Sequence, residues 1–243
     1  MRDYQKEFEN RVAFIRKILA ESHAAGIVYG NSGGKDCTLV GALCKAACGN
    51  TVGIVLPCAS SRNYESDRAD ALAAAEKFGI ETRTVDLTAA REALLKELAG
   101  ATRMLPSSAA NIAPRLRMTA LYAVAGSENR LVAGTGNRSE RYMGYFTKWG
   151  DGACDFNPIA DLTVTEIYEF LAYLDAPESI RTKAPSAGLY EGQTDEREMG
   201  VSYRAIDDYL LRGTAVPEDL AVIERYHTVS EHKRRPVPLY RAE

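Results

Sequence analysis

The apolar residues Phe8, Val12, Ile15 and Leu19 fall on one face of a helix predicted over residues 3–24. The period then changes. Residues 26–31 and 51–57 are short, β-branched and almost continuously apolar, as strands covered on both faces are. Residues 81–86 and 130–134 read as two more strands. Between the strands the spacing returns to that of helices, over 37–48, 64–78 (stopped by Gly79), 88 to about 98 (capped by Thr88) and 111–126. Strands alternating with helices predict an α/β fold, a doubly wound, mostly parallel sheet flanked by helices and joined by right-handed crossovers. Its core is expected over about 24–160. Beyond Pro158 the pattern is mostly helical (163–174, 202–211 and 217–231), and the Gly-, Pro- and charge-rich stretch 183–198 between these helices reads as a long loop of the kind that is a lid or disordered. Residues 1–243 are read as one domain with a helical C-terminal part and no internal repeat.

Ligands on such sheets sit beyond the C-terminal ends of the strands, so the loops after Tyr29, Leu56, Val85 and Val132 are expected to converge on one crevice. The first of these loops carries the chemistry. Gly30-Asn31-Ser32-Gly33-Gly34-Lys35-Asp36-Cys37 stands between a strand and a helix. A glycine turn there presents backbone N–H groups at a helix N-terminus, where the macrodipole also favours negative charge, so it is a seat for phosphate. The Walker pattern fails, because Tyr29 stands at its first glycine and Asp36 at its Ser/Thr, and the dinucleotide fingerprint G-x-G-x-x-G fails too. Taken alone, the turn also suits any α/β protein.

Thirty basic and 33 acidic residues leave a net charge of −3, which argues against a general nucleic-acid binder. The N-terminus is charged from the start and no apolar run approaches the roughly 20 residues of a membrane span, so a cytoplasmic protein without a membrane partner is expected. Five cysteines form no C-x-x-C pair; Cys44 and Cys48 are one helical turn apart, but buried reduced thiols are the better reading than a metal pair.

A second cluster, Gly134-Thr-Gly-Asn-Arg-Ser-Glu140 followed by 144–155, lies past the fourth predicted strand and so on the same sheet edge as Asp36. Carboxylates from two strand ends, Asp36 and Glu140, make a reasonable Mg²⁺ seat beside phosphates. The plain alternative for Glu140 is a solvated loop carboxylate.

With these motifs the chain resembles the ammonia-dependent NAD synthetase family from end to end. The resemblance rests on Ser32-Gly-Gly-Lys-Asp36, Asn111-x-x-x-Arg115-x-Arg117-Met118, Gly134-Thr135 with Glu140, Phe146-Thr-Lys148-x-Gly-Asp151-Gly, Pro185-Ser186-Ala, Gln193-Thr-Asp-Glu and His232-Lys233-Arg234. The first motif belongs to the whole ATP pyrophosphatase superfamily, with its adenine nucleotide alpha hydrolase-like fold, and the Phe146 and Pro185–Gln193 motifs are far more specific. The resemblance implies that ATP adenylates the nicotinate carboxylate of deamido-NAD, releasing pyrophosphate, and that ammonia then displaces AMP to give NAD. It implies that residues 30–37 hold pyrophosphate, that Thr135 and Ser186 contact ATP, and that Asp36 and Glu140 carry Mg²⁺. Asn111, Arg115, Lys148, Asp155, His232 and Lys233 would contact deamido-NAD, with Asp36, Lys148 and Asp151 catalytic. It also implies a homodimer, with 111–126 and 163–174 as candidate contact helices, and closure of the 183–198 lid over the acyl adenylate. On spacing alone, Arg115 and Arg117 suit a solvated helix face equally well, Lys148 a surface lysine, and residues 232–235 a basic tail.

Three positions depart from the family pattern. Cys37 replaces the usual serine and is a weaker donor. Asn137 stands where many members have histidine, and Val164 where a phosphate-binding lysine is common. Lys35 or Lys183 is the expected substitute for that charge. The chain length leaves no room for a glutamine amidase domain, so free ammonia, or ammonia from a separate amidase partner, is expected. Two other functions stay in view: a tRNA-modifying pyrophosphatase and a non-catalytic nucleotide sensor.

Overall fold

The computed structural model describes residues 2–58, 66–183 and 194–241. Four short strands, β1 (Gly26–Gly30), β2 (Thr51–Val55), β3 (Glu81–Thr84) and β4 (Arg130–Val132), form one sheet in the order β3-β2-β1-β4. Every pairing is parallel, with Val28 opposite Val52 on one side and Val132 on the other. The chain therefore builds outward from β1 to β3 and then jumps back to place β4 beside β1. That reversal is a topological switch point, where the loops leaving β1 and β4 diverge and open a crevice.

Alternation along β1 explains the two layers. Ile27 and Tyr29 face one core with Ile15 of α1 (Tyr4–Ser22), Leu39, Val40 and Leu43 of α2 (Lys35–Ala47), and Ala74 of α3 (Ser66–Phe78). Val28, Val52, Ile54 and Val132 face the other, against Met118, Leu121 and Ala125 of α6 (Ile112–Glu128). Tyr29 fits because Gly41 faces it: a Cβ there would stand 2.4 Å from the Tyr29 hydroxyl. The predicted stripe of α1 is also present, with Val12 and Ile15 buried and Phe8 and Leu19 packed against the core.

The edge strand β3 is polar, and Arg83 on it pairs with Glu81 and Glu128. After it, α4 (Thr88–Ala99) is not capped by Thr88, which lies inside the helix; the Asp86 carboxylate instead accepts from the Thr88 N–H at 2.8 Å. A short α5 (Pro106–Ala110) precedes α6, so the helix predicted from 111 begins one residue later and is longer.

The helical part comprises α7 (Arg138–Met143), α8 (Val164–Tyr173), α9 (Glu178–Thr182), α10 (Asp195–Met199), α11 (Tyr203–Arg212), α12 (Pro217–Val229) and α13 (Glu231–Arg234). Ile167, Phe170 and Leu171 of α8 complete the α2-side core. Met143, Val164, Met199, Tyr203, Ile206 and Ile223 form a third cluster that carries α7, α10, α11 and α12. Among the described residues no helix is long and apolar enough to cross a membrane.

Candidate active site

A cavity of about 570 Å³ opens at the switch point. It is lined by the turn after β1, by Leu56 and Pro57 after β2, by Gly134, Thr135 and Gly136 after β4, and by side chains of α6, α7, α10, α12 and α13. The convergence predicted for four loops holds for three. The residues after β3 are not part of the lining, because β3 is the far edge of the sheet.

At the floor, Gly34 is the N-cap of α2 and offers no side-chain cap, so the first-turn N–H groups of this 13-residue helix have no partner within the helix. Gly33 is required for two reasons. Its φ is +74°, and a Cβ would lie 2.2 Å from the Asp67 carbonyl oxygen of α3. The turn is braced by Asn31, whose amide donates to the Ala71 carbonyl at 3.0 Å and whose Oδ1 accepts from Gly33 N–H at 3.3 Å. Ser32 Oγ lies 3.3 Å from the buried Cys37 thiol, which donates to the Gly34 carbonyl at 3.1 Å. Burial pushes that thiol above its ordinary range, which keeps the sulfur protonated and inert. All five cysteines are free thiols, and among the described residues no three His, Cys, Asp or Glu side chains converge to hold a metal.

The carboxylates read from separate motifs meet here. Asp36 Oδ2 is 2.7 Å and Glu140 Oε1 is 3.8 Å from the same atom, Lys35 Nζ. Glu140 is placed by a capping box at the start of α7: Asn137 Oδ1 accepts from Glu140 N–H at 2.9 Å, and Glu140 Oε2 accepts from Asn137 N–H at 3.2 Å. The Asn137 amide also donates to Asp36 Oδ1 at 3.1 Å, tying the two loops together. Burial, then repulsion from Asp36, pushes Glu140 up to about 8 despite Lys35. Burial alone would lower Lys35, but Asp36 and Glu140 outweigh it and hold the ammonium above its ordinary value. Two adjacent hard-oxygen groups suit a magnesium ion.

The other predicted residues divide between cavity and rim. Gly30, Asn31, Ser32, Gly34 and Cys37 line the cavity with Thr135, Asn111, Asp151, His232 and Lys233. Arg115, Lys148 and Asp155 do not line it. The exposed Arg115 donates to the Lys148 carbonyl at 3.2 Å, Lys148 Nζ donates to the His232 carbonyl at 2.8 Å, and Asp155 accepts from the Tyr122 hydroxyl at 3.1 Å and from Val132 N–H at 2.7 Å. Asp151 accepts from Thr147 N–H at 3.0 Å and is raised by burial. Lys233 donates to the Gly144 and Phe146 carbonyls and lines the cavity with His232, so these two residues belong to the wall rather than to a solvated tail. Ser186 and most of the lid, 184–193, lie outside the described residues.

Sequence reasoning missed several lining groups. Arg117 is not on a solvated face: it lines the cavity, donates to the Leu56 carbonyl at 3.0 Å, and burial lowers it. Asp195 is 3% exposed and accepts from the Tyr203 hydroxyl at 3.0 Å. Val164 is core, 4% exposed, and does not line the cavity, whereas both suggested substitutes, Lys35 and Lys183, do. Lys183 is held by Asp67 at 2.8 Å and Asp70 at 2.6 Å.

Fold and site together define a parallel α/β protein with a glycine turn at a helix N-terminus and a paired-carboxylate cluster at its switch point. The NAD synthase family model matches residues 7–237, and the chain belongs to that family of ligases. It is 45% identical over 236 residues, 96% of each chain, to the NH3-dependent NAD+ synthetase of Carboxydothermus hydrogenoformans. Among solved structures it matches the NMN synthetase of Francisella tularensis with TM-score 0.93 and 37% identity over 99% of each chain. It matches the NH3-dependent NAD synthetase of Campylobacter jejuni with TM-score 0.82 and 30% identity over 99% of this chain and 100% of that one.

Proposed function

We propose that this chain catalyses the ATP- and Mg²⁺-dependent amidation of deamido-NAD by ammonia, forming NAD, AMP and pyrophosphate. The observation that carries the reading is the meeting of Asp36 and Glu140, from the loops after β1 and β4, over the uncapped N-terminus of α2. A carboxylate is a poor electrophile. Attack of a nicotinate oxygen on the α-phosphorus, with cleavage of the α–β bond, gives a mixed anhydride; ammonia then adds to its carbonyl and AMP leaves. The work left to the protein is positioning and charge neutralisation.

The N–H groups of the 30–37 turn and the Ser32 hydroxyl would seat the departing pyrophosphate, and Thr135 and Ser186 the nucleotide. Asp36 and Glu140 would hold Mg²⁺, which when bound neutralises polyphosphate charge. Asn111, His232 and Lys233 inside the cavity, and Arg115, Lys148 and Asp155 at its rim, would hold the acid substrate. Asp151, a buried cavity carboxylate raised above its ordinary range, would accept a proton from the incoming ammonia. The three rim residues share a surface with Tyr122 and Trp149, 38% and 61% exposed, which supports a homodimer in which a second copy completes the acid's site. The absence of a membrane-spanning helix among the described residues is consistent with a cytoplasmic enzyme.

The experiment is incubation with ATP, Mg²⁺, ammonium and acid substrate. NAD and AMP in equal amounts, with ¹⁸O passing from labelled carboxylate to AMP, are expected; ADP, or no product, would overturn the reading. A second reading, amidation of nicotinate mononucleotide, is favoured by the likeness to the Francisella NMN synthetase. The ratio of kcat/KM for the two acids decides between them.

A further inference from the structure

Lys35 is 7% exposed and sits where the two candidate metal ligands meet, 2.7 Å from Asp36 and 3.8 Å from Glu140, with the Tyr203 ring 5.7 Å from its ammonium. The counter-ion of the acid pair in this structure is therefore the chain's own. A divalent ion on the same oxygens would stand within ion-pair distance of the ammonium, and the like charges would repel across a poorly screened interior. Lys35 is also the first residue of α2 and lines the cavity beside the turn. A short swing about its flexible stem would carry the ammonium from the carboxylates to a polyphosphate seated on that helix N-terminus. Lys183 has no comparable choice of partners at the acid pair, because its two carboxylates, Asp67 and Asp70, belong to α3.

Resting on the function proposed above, we infer that Lys35 is a two-station counter-ion. Without nucleotide it occupies the Asp36–Glu140 pair and excludes divalent cations; with nucleotide it moves onto the polyphosphate and yields the pair to the metal. Metal and nucleotide then enter as one complex, and the pair does not load with metal alone. This arrangement also returns to the phosphates the positive charge that Val164 cannot supply.

The test measures nucleotide-free Mn²⁺ binding by electron paramagnetic resonance, and metal-free pyrophosphate binding by calorimetry. Wild type is compared with Lys35→Met and with Lys35→Gln, whose amide can still donate to Asp36 if the methionine variant does not fold. The expected result is Mn²⁺ binding at least tenfold tighter in the folded variant than in wild type, together with pyrophosphate binding at least tenfold weaker. Unchanged or weaker Mn²⁺ binding in the folded Lys35 variant, or unchanged pyrophosphate binding, would overturn the inference. Failure of wild type to bind Mn²⁺·ATP at all would instead overturn the function on which it rests.

Discussion

Two clusters of buried charge stand in this molecule, and they are built on opposite plans. Near the N-terminus, Arg11, 9% exposed, grips Asp161 with both arms of its guanidinium, at 2.7 and 2.9 Å, and Glu7 at 2.8 Å. Arg2 adds Glu166 at 2.6 Å and Asp161 at 3.0 Å. Burial alone would raise Asp161, but the two arginines outweigh it and hold it below the usual carboxylate range. In the crevice a single lysine serves Asp36 and Glu140 unequally, and Glu140 is raised. The first cluster is a finished structural clamp of α1 onto the segment before α8, using the fork geometry in which arginine excels. Both clusters hold one more acid than base, but each acid of the first has an arginine nitrogen within 2.8 Å, whereas Glu140 lies 3.8 Å from Lys35. It is this loosely paired acid, rather than burial, that marks a site built to receive something.

The sharpest way to break the comparison is to neutralise one acid in each cluster. Asp36→Asn and Glu140→Gln should each lower kcat/KM by about 10³-fold or more, because an anion-stabilising site depends on placed charge. The melting temperature should not fall in Glu140→Gln, where repulsion within the pair is relieved, but should fall in Asp36→Asn, which leaves the buried Lys35 without its 2.7 Å partner. Gly33→Ala should come next, with its strained φ and backbone clash costing about 1–3 kcal/mol of stability and weakening ATP binding at the same time. Arg11→Ala should cost about 2 kcal/mol in chemical denaturation, below the usual range for a broken buried pair because Asp161 is half exposed, with kcat unchanged.

The two clusters should also answer pH with opposite signs. Glu140 has a folded pKa above its unfolded value of 4.5, so the native state holds that proton more tightly. Its contribution is full below 4.5 and is lost as pH rises through about 8. Asp161 is lowered on folding; its contribution is present above the ordinary aspartate range and is lost as pH falls through the depressed pKa. Unfolding free energies measured across pH should lose the decline between 4.5 and about 8 in Glu140→Gln, and the decline below the ordinary aspartate range in Asp161→Asn. The smallest effect is expected at Lys183→Ala, whose partly exposed ion pairs should move the ATP KM by no more than about fivefold.

Particular residues show why some of this was legible in the chain and some was not. The strand–glycine turn–helix at 26–47 could be read because each part has its own local signature, and β4 beside β1 follows from βαβ logic. The polar Glu81-Thr-Arg-Thr run was itself the signal of an edge strand, and that is why its loop does not reach the crevice. Arg115 and Arg117 lie two apart on α6 and so point to different sides; a single charged motif does not say which of them faces in. Asn137-x-x-Glu140 has the spacing of a capping box, a pattern visible in the sequence that would have predicted α7. Other helices of four or five residues, such as α10 and α13, are too short to carry a period. The place of Lys35 between two acids depends on a strand about a hundred residues away, and no local pattern encodes it.

The most direct measurement is the equilibrium affinity for Mg²⁺·ATP of wild type, Asp36→Asn and Asp161→Asn under one set of conditions. The account predicts at least about a 100-fold loss in Asp36→Asn, with Asp161→Asn indistinguishable from wild type. Equal affinity in all three proteins would contradict it.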